Sequence, residues 1–344
     1  MSSRTRARPR VHRRRRVEVL AGDPAGRLAD LALEIEIGLT AERKYLPKRW
    51  LFDAEGVRLL RRIRDQPEHY QVRAERELLA DGAYALPLYF PDCAPLFVEV
   101  GVIDAGRTTH LIQPLIEKFG ALDYMAVGPD REAVQPPCIE LVARHPGLRA
   151  TAMVGRLTDA IQAVRAAPGP AILYWPESGV AGSDRAGVKP VLREIVDGLR
   201  GVDLFIGGID LRKDPRLAQR AYRDRSGCGR RLQFNALERL NDQFGATFDL
   251  SNFRDRVTYD EPVGRLEACL VSRRSHRVRI EKLGLDVTFA KGETIQTITV
   301  TKFSPREIDQ TAESVGLVVH ERWYDRNGRV SANLMRRRPR LRAL

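Results

Sequence analysis

The chain alternates short apolar, β-branched runs with segments of helical periodicity. Five such runs lie between residues 96 and 210: "LFVEVG", "LDYMAVG", "LRATAMVG", "AILYWPES" and "VDLFIGGID". Nearly continuous apolar strands that alternate with helices are typical of a parallel sheet covered on both faces. The pattern therefore predicts an α/β protein, and ligands of such sheets bind beyond the carboxyl ends of the strands.

The pattern changes after residue 210. Two amphipathic helices are followed by segments that alternate in hydrophobicity, which is typical of antiparallel strands. "SPREIDQTAESVG" predicts a helix with Ser304 as N-cap and Pro305 at its first position. The turn "RNG" then splits a closing hairpin. A parallel sheet that ends in an antiparallel hairpin is the layout of class I methyltransferases. One local conflict is Pro136-Pro137, which we expect to break or delay the helix after the second strand.

These patterns predict two lobes with a pocket between them, since sites often lie at domain interfaces. One lobe is a Rossmann-like methyltransferase sheet, and the other is an α+β lobe of the substrate-binding type. The predicted bounds are 82–210 and 303–335 for the sheet lobe, 28–81 and 211–302 for the second lobe, and 1–27 and 336–344 for two basic tails.

The net charge of +13 is confined to the tails. Residues 1–16 hold eight arginines and no acid, and residues 334–344 hold five more. The rest of the chain has 45 basic and 45 acidic residues, so the body is formally neutral. Such tails predict disordered, solvated extensions, and binding of nucleic acid or an anionic surface through them is the alternative.

Cysteine usage and hydropathy indicate the cellular compartment that the sequence suits. The four cysteines form no CxxC pair, which argues against a disulfide framework or a metal site and suits a reducing, cytoplasmic environment. No run of 18 apolar residues is present, so no membrane span is expected.

Four blocks of sequence carry a family resemblance. They are "LPKRWLFDAEGVRLLRRIRDQPEHYQVRAERELL" (46–79), "GGIDLRKDPRLAQRAY", "ALERLNDQFGATFDLSNF" and "KGETIQTITVTKFSPREID". In this order and spacing they resemble the histidine-specific S-adenosylmethionine-dependent methyltransferases, which include the histidine Nα-methyltransferase of ergothioneine biosynthesis. The resemblance covers about residues 30 to 335. It implies a class I methyltransferase fold, S-adenosylmethionine as cofactor and a small-molecule substrate.

The stretch "FVEVGVIDAGRTTHLI" (97–112) holds the first turn of the implied cofactor site. A glycine there lets the backbone approach the ligand, and Gly101 is retained. The resemblance also places Arg107 and Thr108 at the cofactor. "GVIDAGRT" matches a phosphate-binding loop with arginine in place of lysine. Because arginine replaces that lysine poorly, the methyltransferase interpretation is preferred.

Three residues of the implied cofactor site are replaced. Ile103 stands for a second glycine, and its branched side chain is expected to crowd the ligand. Gly128 and Arg156 stand for the carboxylates that hold the ribose and the adenine. These changes predict a weakened S-adenosylmethionine site, unless Asp104 or Asp130 supplies a carboxylate from a shifted position.

The implied substrate site is changed as well. Its six positions are Phe52, His69, Gly182, Tyr222, Ile298 and Val300. Tyr222 keeps the family's tyrosine, whereas the glutamate and serine positions have become Ile298 and Val300. Removing one partner of a buried hydrogen bond costs about 1–3 kcal/mol per group, so histidine recognition is expected to be abolished. Glu177 and Ser178, just past the fourth strand, are candidates for binding a different substrate.

Two functions are compatible with this sequence. The first is a methyltransferase that acts on a small amine or amino-acid-like molecule other than histidine. The second is a non-catalytic relative that keeps the scaffold to bind a metabolite or a protein partner. Methyl transfer to an amine needs mainly positioning and a neutral nitrogen, so no residue is assigned a catalytic role.

Overall fold

The computed structural model describes residues 17–21, 24–182 and 185–339. The strands are β1 (Val17–Ala21), β2 (Leu96–Val100), β3 (Leu122–Gly128), β4 (Leu148–Val154), β5 (Ala171–Trp175), β6 (Leu204–Asp210), β7 (Phe253–Asp260), β8 (Arg265–Ser272), β9 (His276–Ile280), β10 (Leu285–Phe289), β11 (Thr294–Thr301), β12 (Leu317–Tyr324) and β13 (Val330–Arg337). The α-helices are α1 (Pro24–Thr40), α2 (Ala54–Arg64), α3 (Gln71–Gly82), α4 (Ala105–Phe119), α5 (Arg131–Arg144), α6 (Leu157–Ala166), α7 (Arg185–Gly198), α8 (Pro215–Arg220), α9 (Cys228–Phe244) and α10 (Pro305–Ser314). Short 3-10 helices span Lys48–Leu51, Ala83–Tyr89, Leu250–Asn252 and Glu281–Leu283.

Eight strands form the main sheet in the order β1-β4-β3-β2-β5-β6-β13-β12. The strands from β1 to β6 run parallel, and β13 and β12 close the sheet as an antiparallel hairpin. Helices cover both faces, which explains why every residue of β6 is buried. The predicted α/β class and the class I methyltransferase layout are confirmed. The N-cap at Ser304 is confirmed too, since its side chain accepts from the Glu307 amide.

Residues 17–21 depart from the predicted disordered tail. They form β1, which pairs in parallel with β4 and covers an otherwise free sheet edge. The tail prediction is therefore wrong for this segment, where two β-branched valines favour a strand. The predicted tail bounds are also wrong at residues 24–27, which begin α1, and at residues 336–337, which end β13. The remaining predictions for the tails fall on residues 1–16, 22–23 and 340–344, which lie outside the described residues.

N-terminal helices share a hydrophobic core with the segment that follows β6, the two parts predicted to form the second lobe. Strands β7, β8 and β11 form one small antiparallel sheet, and β9 and β10 form a two-stranded one. Trp50, Leu237 and Phe253 belong to a core shared by α1, α2, α9 and these strands. Helix α3 instead joins the core of the large sheet, because Leu78 and Leu79 are buried with Phe97.

Helix α5 runs without interruption through Pro136 and Pro137, so the predicted break is wrong. Each proline removes one amide donor and leaves the carbonyl four residues earlier without its helical partner. Here both carbonyls have other donors. The Arg61 guanidinium donates to the carbonyl of Glu132, and the amide of Ile103 donates to that of Ala133 at 3.1 Å. The replacement hydrogen bonds explain why the helix tolerates both prolines.

In the part of the chain that the structure describes, no helix combines the length and apolar character needed to cross a bilayer. The four cysteines are free, with three buried and Cys93 exposed.

Candidate active site

A cavity of about 650 Å³ opens beyond the carboxyl ends of β2 to β5. The turns that follow these strands form one side of it. The first 3-10 helix, α2, α9, β8 and β11 supply residues on the other side. Its size and place match those of ligand sites in α/β proteins.

The turn after β2 requires glycine. Gly101 has φ +123°, a conformation that side chains rarely adopt, and no atom lies within 4 Å of the position a Cβ would take. Its amide is fixed by the carbonyl of Val127 at 2.8 Å. The backbone of this turn therefore faces open space in the cavity, where a ligand can approach it closely.

The turn after β3 explains the glycine at 128. A Cβ on Gly128 would lie 2.5 Å from the carbonyl oxygen of Gly101 and 2.7 Å from Val134. No side chain fits there without a shift of the backbone, so a carboxylate at this position is excluded by packing. Asp130, two residues later, lines the cavity. One of its oxygens accepts from the Glu132 amide at 2.8 Å and caps α5.

Ile103 does not crowd the cavity, so that prediction is wrong. Its side chain is 3% exposed, belongs to the core of the sheet lobe and does not line the cavity. The amide of Ile103 donates to the carbonyl of Ala133 on α5, and the side chain packs in the core. Arg156 does line the cavity, but its guanidinium pairs with Asp30 of α1 at 2.7 Å.

The structure does not bring three predicted cofactor residues to the cavity. Asp104 caps α4 and pairs with Arg76 at 2.7 Å. The Thr108 hydroxyl donates to Glu99 at 2.7 Å. Arg107 is fully buried beneath the cavity. Apart from Arg107 Nε, which has no hydrogen-bond partner within the described residues, the polar atoms of these side chains have intramolecular partners. Their contact with a cofactor stays a prediction.

Arg107 is the centre of a buried ionic cluster. Its guanidinium donates to Glu75 at 2.9 Å, to Glu177 at 2.5 Å and to Glu99 at 3.2 Å. Burial raises the pKa of the Glu75 carboxyl to about 7. Burial acts in the same direction on Glu177, but the charges of Arg64 and Arg107 outweigh it and hold the pKa of Glu177 below its usual value. Glu177 is therefore an ionised carboxylate on the cavity wall.

Glu177 and Ser178 share a strained turn after β5. Both have positive φ, 54° and 56°, which costs non-glycine residues of order 1–3 kcal/mol each. Hydrogen bonds hold the turn: the Glu177 amide donates to Glu75 at 2.6 Å, and the Ser178 amide to the Gly208 carbonyl at 2.9 Å. Glu177 faces the cavity. Ser178 does not, and its hydroxyl accepts from the Asp210 amide at 2.7 Å.

All six positions that the resemblance assigns to the substrate line this one cavity. They are Phe52, His69, Gly182, Tyr222, Ile298 and Val300. They come from segments up to about 250 residues apart, and the fold brings them together. Ile298 and Val300 form an aliphatic wall on β11. A bulge at Thr297, whose hydroxyl donates to Gln233 and Ala268, sets the register of that strand.

An ionic cluster around Asp210 supports the Tyr222 side of the cavity. Asp210 is buried and accepts hydrogen bonds from Tyr70, Gln71, Lys213 and Lys302. Burial opposes its ionisation, but the two lysines keep its pKa below the usual value. Gln71 lines the cavity, and the Lys302 ammonium lies 5.7 Å from the ring centre of Tyr222. The cluster therefore fixes the polar corner that holds Tyr222.

His69 is a neutral polar group in the same corner. The side chain is 5% exposed, lines the cavity, and its Nδ1 has no hydrogen-bond partner in the described part of the chain. Burial lowers the pKa of the imidazole to about 4. At neutral pH the ring is therefore uncharged and can exchange a hydrogen bond with a ligand.

The buried His69 predicts a loss of stability in acid. Its pKa is lower in the folded state than the 6.5 of an unperturbed histidine, so the unfolded chain takes up the proton first. Its contribution is complete above pH 6.5 and falls by about 3 kcal/mol as the pH approaches 4. We expect His69→Gln to flatten the pH dependence of the unfolding free energy, measured by urea titration between pH 4 and 7.

The matched control is His320→Gln, which removes an exposed histidine of β12. This variant should keep the wild-type pH dependence. An equally steep acid loss in His69→Gln would contradict the role of the buried ring.

Several cavity residues were not predicted from the sequence. Lys48, Asp53, Arg64 and Arg239 all line it. Lys48, Asp53 and Arg64 lie in the block 46–79, but helical periodicity alone does not tell which charged side chains face a cavity. Arg239 is held by stacking 3.7 Å from the ring centre of Trp50, a contact that joins distant segments.

Comparison with known proteins gives the class of this fold and site. The family model described as histidine-specific, S-adenosylmethionine-dependent methyltransferase matches residues 31–337. The chain is 27% identical to the histidine N-alpha-methyltransferase of Mycolicibacterium smegmatis over 309 residues, which is 90% of this chain and 95% of that protein. It is 33% identical over 78 residues, 23% of this chain and 22% of that protein, to the L-tryptophan methyltransferase of Psilocybe serbica. The magnesium protoporphyrin IX methyltransferase of Synechocystis aligns over 84% of this chain and 97% of its own, with 10% identity and a TM-score of 0.43.

The fold is that of a class I methyltransferase. The chain belongs to the histidine-specific S-adenosylmethionine-dependent methyltransferase family. S-adenosylmethionine is the cofactor of this family, and the glycine turns at 101, 128 and 155 form a cradle that fits such a ligand. The sequence-based expectation of a weakened site rested in part on Ile103, which the structure removes from the cavity.

Proposed function

We propose that this protein is an N-methyltransferase whose substrate is a small amine or amino-acid-like molecule other than histidine. The observation that carries this proposal is the aliphatic wall of Ile298 and Val300 in a cavity where all the implied substrate positions meet. Two relatives named for methylation of histidine and of tryptophan support an amino-acid-like substrate.

The cofactor would be held by the turns beyond β2, β3 and β4. The backbone of Gly101 and Val102, the segment 128–130 and the segment 155–157 all line this end of the cavity. The second carboxylate oxygen of Asp130 is the acceptor placed to bind a sugar hydroxyl. When bound, S-adenosylmethionine supplies a methyl group on a positively charged sulfur.

The chain's own residues then orient the amine and exclude water. A methyl group is accepted only by a nitrogen with a free electron pair, held at the right angle and distance. The ionised carboxylate of Glu177 can accept a hydrogen bond from the substrate nitrogen. The Tyr222 hydroxyl and the neutral His69 ring supply further polar contacts in the same corner. Phe52 and Trp175 close the apolar side.

The aliphatic wall disfavours an imidazole. Ile298 and Val300 offer no hydrogen bond, and the neighbouring Ala268 on β8 offers none from its side chain. A ring N–H placed there would give up its hydrogen bond to water without a replacement, at a cost of about 1–3 kcal/mol. An apolar group would instead gain by burial.

Restoring the polar wall should restore histidine binding. We expect Ile298→Glu combined with Val300→Ser to raise kcat/KM for histidine at least about tenfold and to lower it for apolar amino acids. Radiolabelled methyl transfer to histidine, leucine, phenylalanine and tryptophan measures both changes.

The control for this experiment is Ile139→Glu, the same substitution at an exposed position of α5 outside the cavity. Ile139→Glu should change kcat/KM neither for histidine nor for apolar amino acids. A wild-type enzyme that prefers histidine would contradict the proposal at once.

The alternative is a non-catalytic relative, and one observation favours it. Arg156 occupies a carboxylate position of the implied adenine site and is tied to Asp30. This alternative predicts ligand binding without methyl transfer to any amine, so the same assay distinguishes the two.

A further inference from the structure

The cavity contains a lysine, Lys48, that takes part in none of the contacts described above. Lys48 begins the short 3-10 helix before α2 and lines the cavity. A Cβ added to Gly182 would lie only 2.7 Å from the Lys48 Nζ. The ammonium thus occupies the space that a side chain at 182 would need, where the resemblance implies asparagine.

The ammonium of Lys48 is unpaired. The other cavity cations each donate to or pair with an oxygen of the protein; they are Arg49, Arg64, Arg156 and Arg239. Within the described residues, Lys48 Nζ makes no hydrogen bond or ion pair. The charge of Glu177 acts on Lys48, but the two groups form no ion pair, and the Glu177 carboxylate accepts from Arg64 and Arg107 instead.

Burial lowers the pKa of the Lys48 ammonium, and the charge of Glu177 opposes this shift. Lys48 is half-buried, and a cation that is partly desolvated and unpaired is unfavourable by itself. A bound anion would remove that cost, which makes this position a favourable one for a negatively charged ligand group.

Lys48 and the aliphatic wall share one corner of the cavity. The amide of Leu46 donates to the carbonyl of Gln296 at 2.8 Å, which ties β11 to the chain just before Lys48. The amide of Thr301 donates to Ala181 at 2.9 Å, which ties the end of β11 to the loop that carries Gly182. A ligand can therefore meet the ammonium and the wall at the same time.

We propose that Lys48 binds the carboxylate of the substrate, and that the substrate is an amino acid with an apolar side chain that packs on Ile298 and Val300. This inference rests on the proposed function, and it narrows the substrate from amines in general to amino acids. A plain amine would leave the ammonium unpaired, and a basic or imidazole side chain would not suit the wall.

The test compares acids with their decarboxylated forms. Calorimetric titration in saturating S-adenosylhomocysteine uses L-leucine, L-phenylalanine and L-tryptophan against isoamylamine, phenethylamine and tryptamine. We expect at least one acid to bind about 10- to 100-fold more tightly than its amine, as for a hydrogen bond between charged groups. Lys48→Met should remove this difference while the amine's affinity stays within a few fold, and Lys48→Arg should keep part of it.

The control is Lys282→Met, a lysine of the second lobe outside the cavity. Thermal melting checks that each variant is folded. Equal affinity for acids and amines, no binding of any acid, or an unchanged ratio in Lys48→Met would overturn the inference.

Methyl-transfer assays on the same panel separate this inference from the function on which it rests. Transfer to amines without preference for acids would overturn the carboxylate site and leave the methyltransferase function in place. Lys48-dependent binding of acids without transfer to any compound would support the carboxylate site and overturn the methyltransferase function.

Discussion

Replacing Arg107 with methionine should lower the free energy of unfolding by about 3–5 kcal/mol. The guanidinium is fully buried and pairs with Glu75, Glu99 and Glu177. Methionine fills much of the volume but leaves these carboxylates without their shared cation, and an uncompensated buried charge is costly. Urea unfolding at pH 8 measures the loss. The loss of unfolding free energy should be smaller at lower pH, because protonation of the carboxylates removes the negative charges that Arg107 had balanced.

Arg149→Met is the matched control. Arg149 forms a two-point pair with Asp123 on neighbouring strands, but both side chains are more than half exposed. Exposed pairs contribute at most about 1 kcal/mol. Arg107→Lys, which keeps the charge, should lie between the wild type and Arg107→Met. Equal losses for the two methionine variants would show that the buried cluster does not stabilise the fold.

Replacing Gly101 with valine should weaken S-adenosylhomocysteine binding by about 100-fold or more. The φ of +123° disfavours a branched residue, and the new side chain would project into the open space beside the cofactor turn. The loss combines backbone strain with direct obstruction of the ligand. Isothermal titration of the folded variant measures it, and Gly101→Ala should show a smaller loss in the same direction.

Gly292→Val separates strain from obstruction. Gly292 also has positive φ, +88°, with open space around its Cβ position, but it lies in an exposed turn outside the cavity. We expect this variant to lose stability and to keep its affinity for the ligand. Unchanged affinity in Gly101→Val would mean that this turn does not contact the cofactor.

Apolar patterning was enough to predict the sheet and its closing hairpin. The central strands β2, β5 and β6 are buried on both faces, so their sequences carry a nearly continuous apolar signal. The two prolines of α5 were misjudged, because the donors that satisfy the freed carbonyls come from Arg61 and Ile103, which no local pattern connects to that helix.

The sequence predicted where the site lies better than which chemical groups face the ligand. The family blocks located the six substrate positions, and the fold brings them to one cavity. Whether a charged side chain faces the ligand depends on partners elsewhere in the chain. Arg107 turns to carboxylates at 75 and 177, whereas Lys48 meets none within ion-pair distance among the described residues and stays directed at the cavity.

The most direct test is one measurement of ligand binding followed by one methyl-transfer assay on the same sample. S-adenosylhomocysteine at a hundred times its dissociation constant should stabilise the fold by about 2.7 kcal/mol. Methyl transfer from S-adenosylmethionine should then reach an apolar amino acid at a higher kcat/KM than histidine. No binding at millimolar nucleoside, or transfer with histidine as the preferred acceptor, would contradict the account.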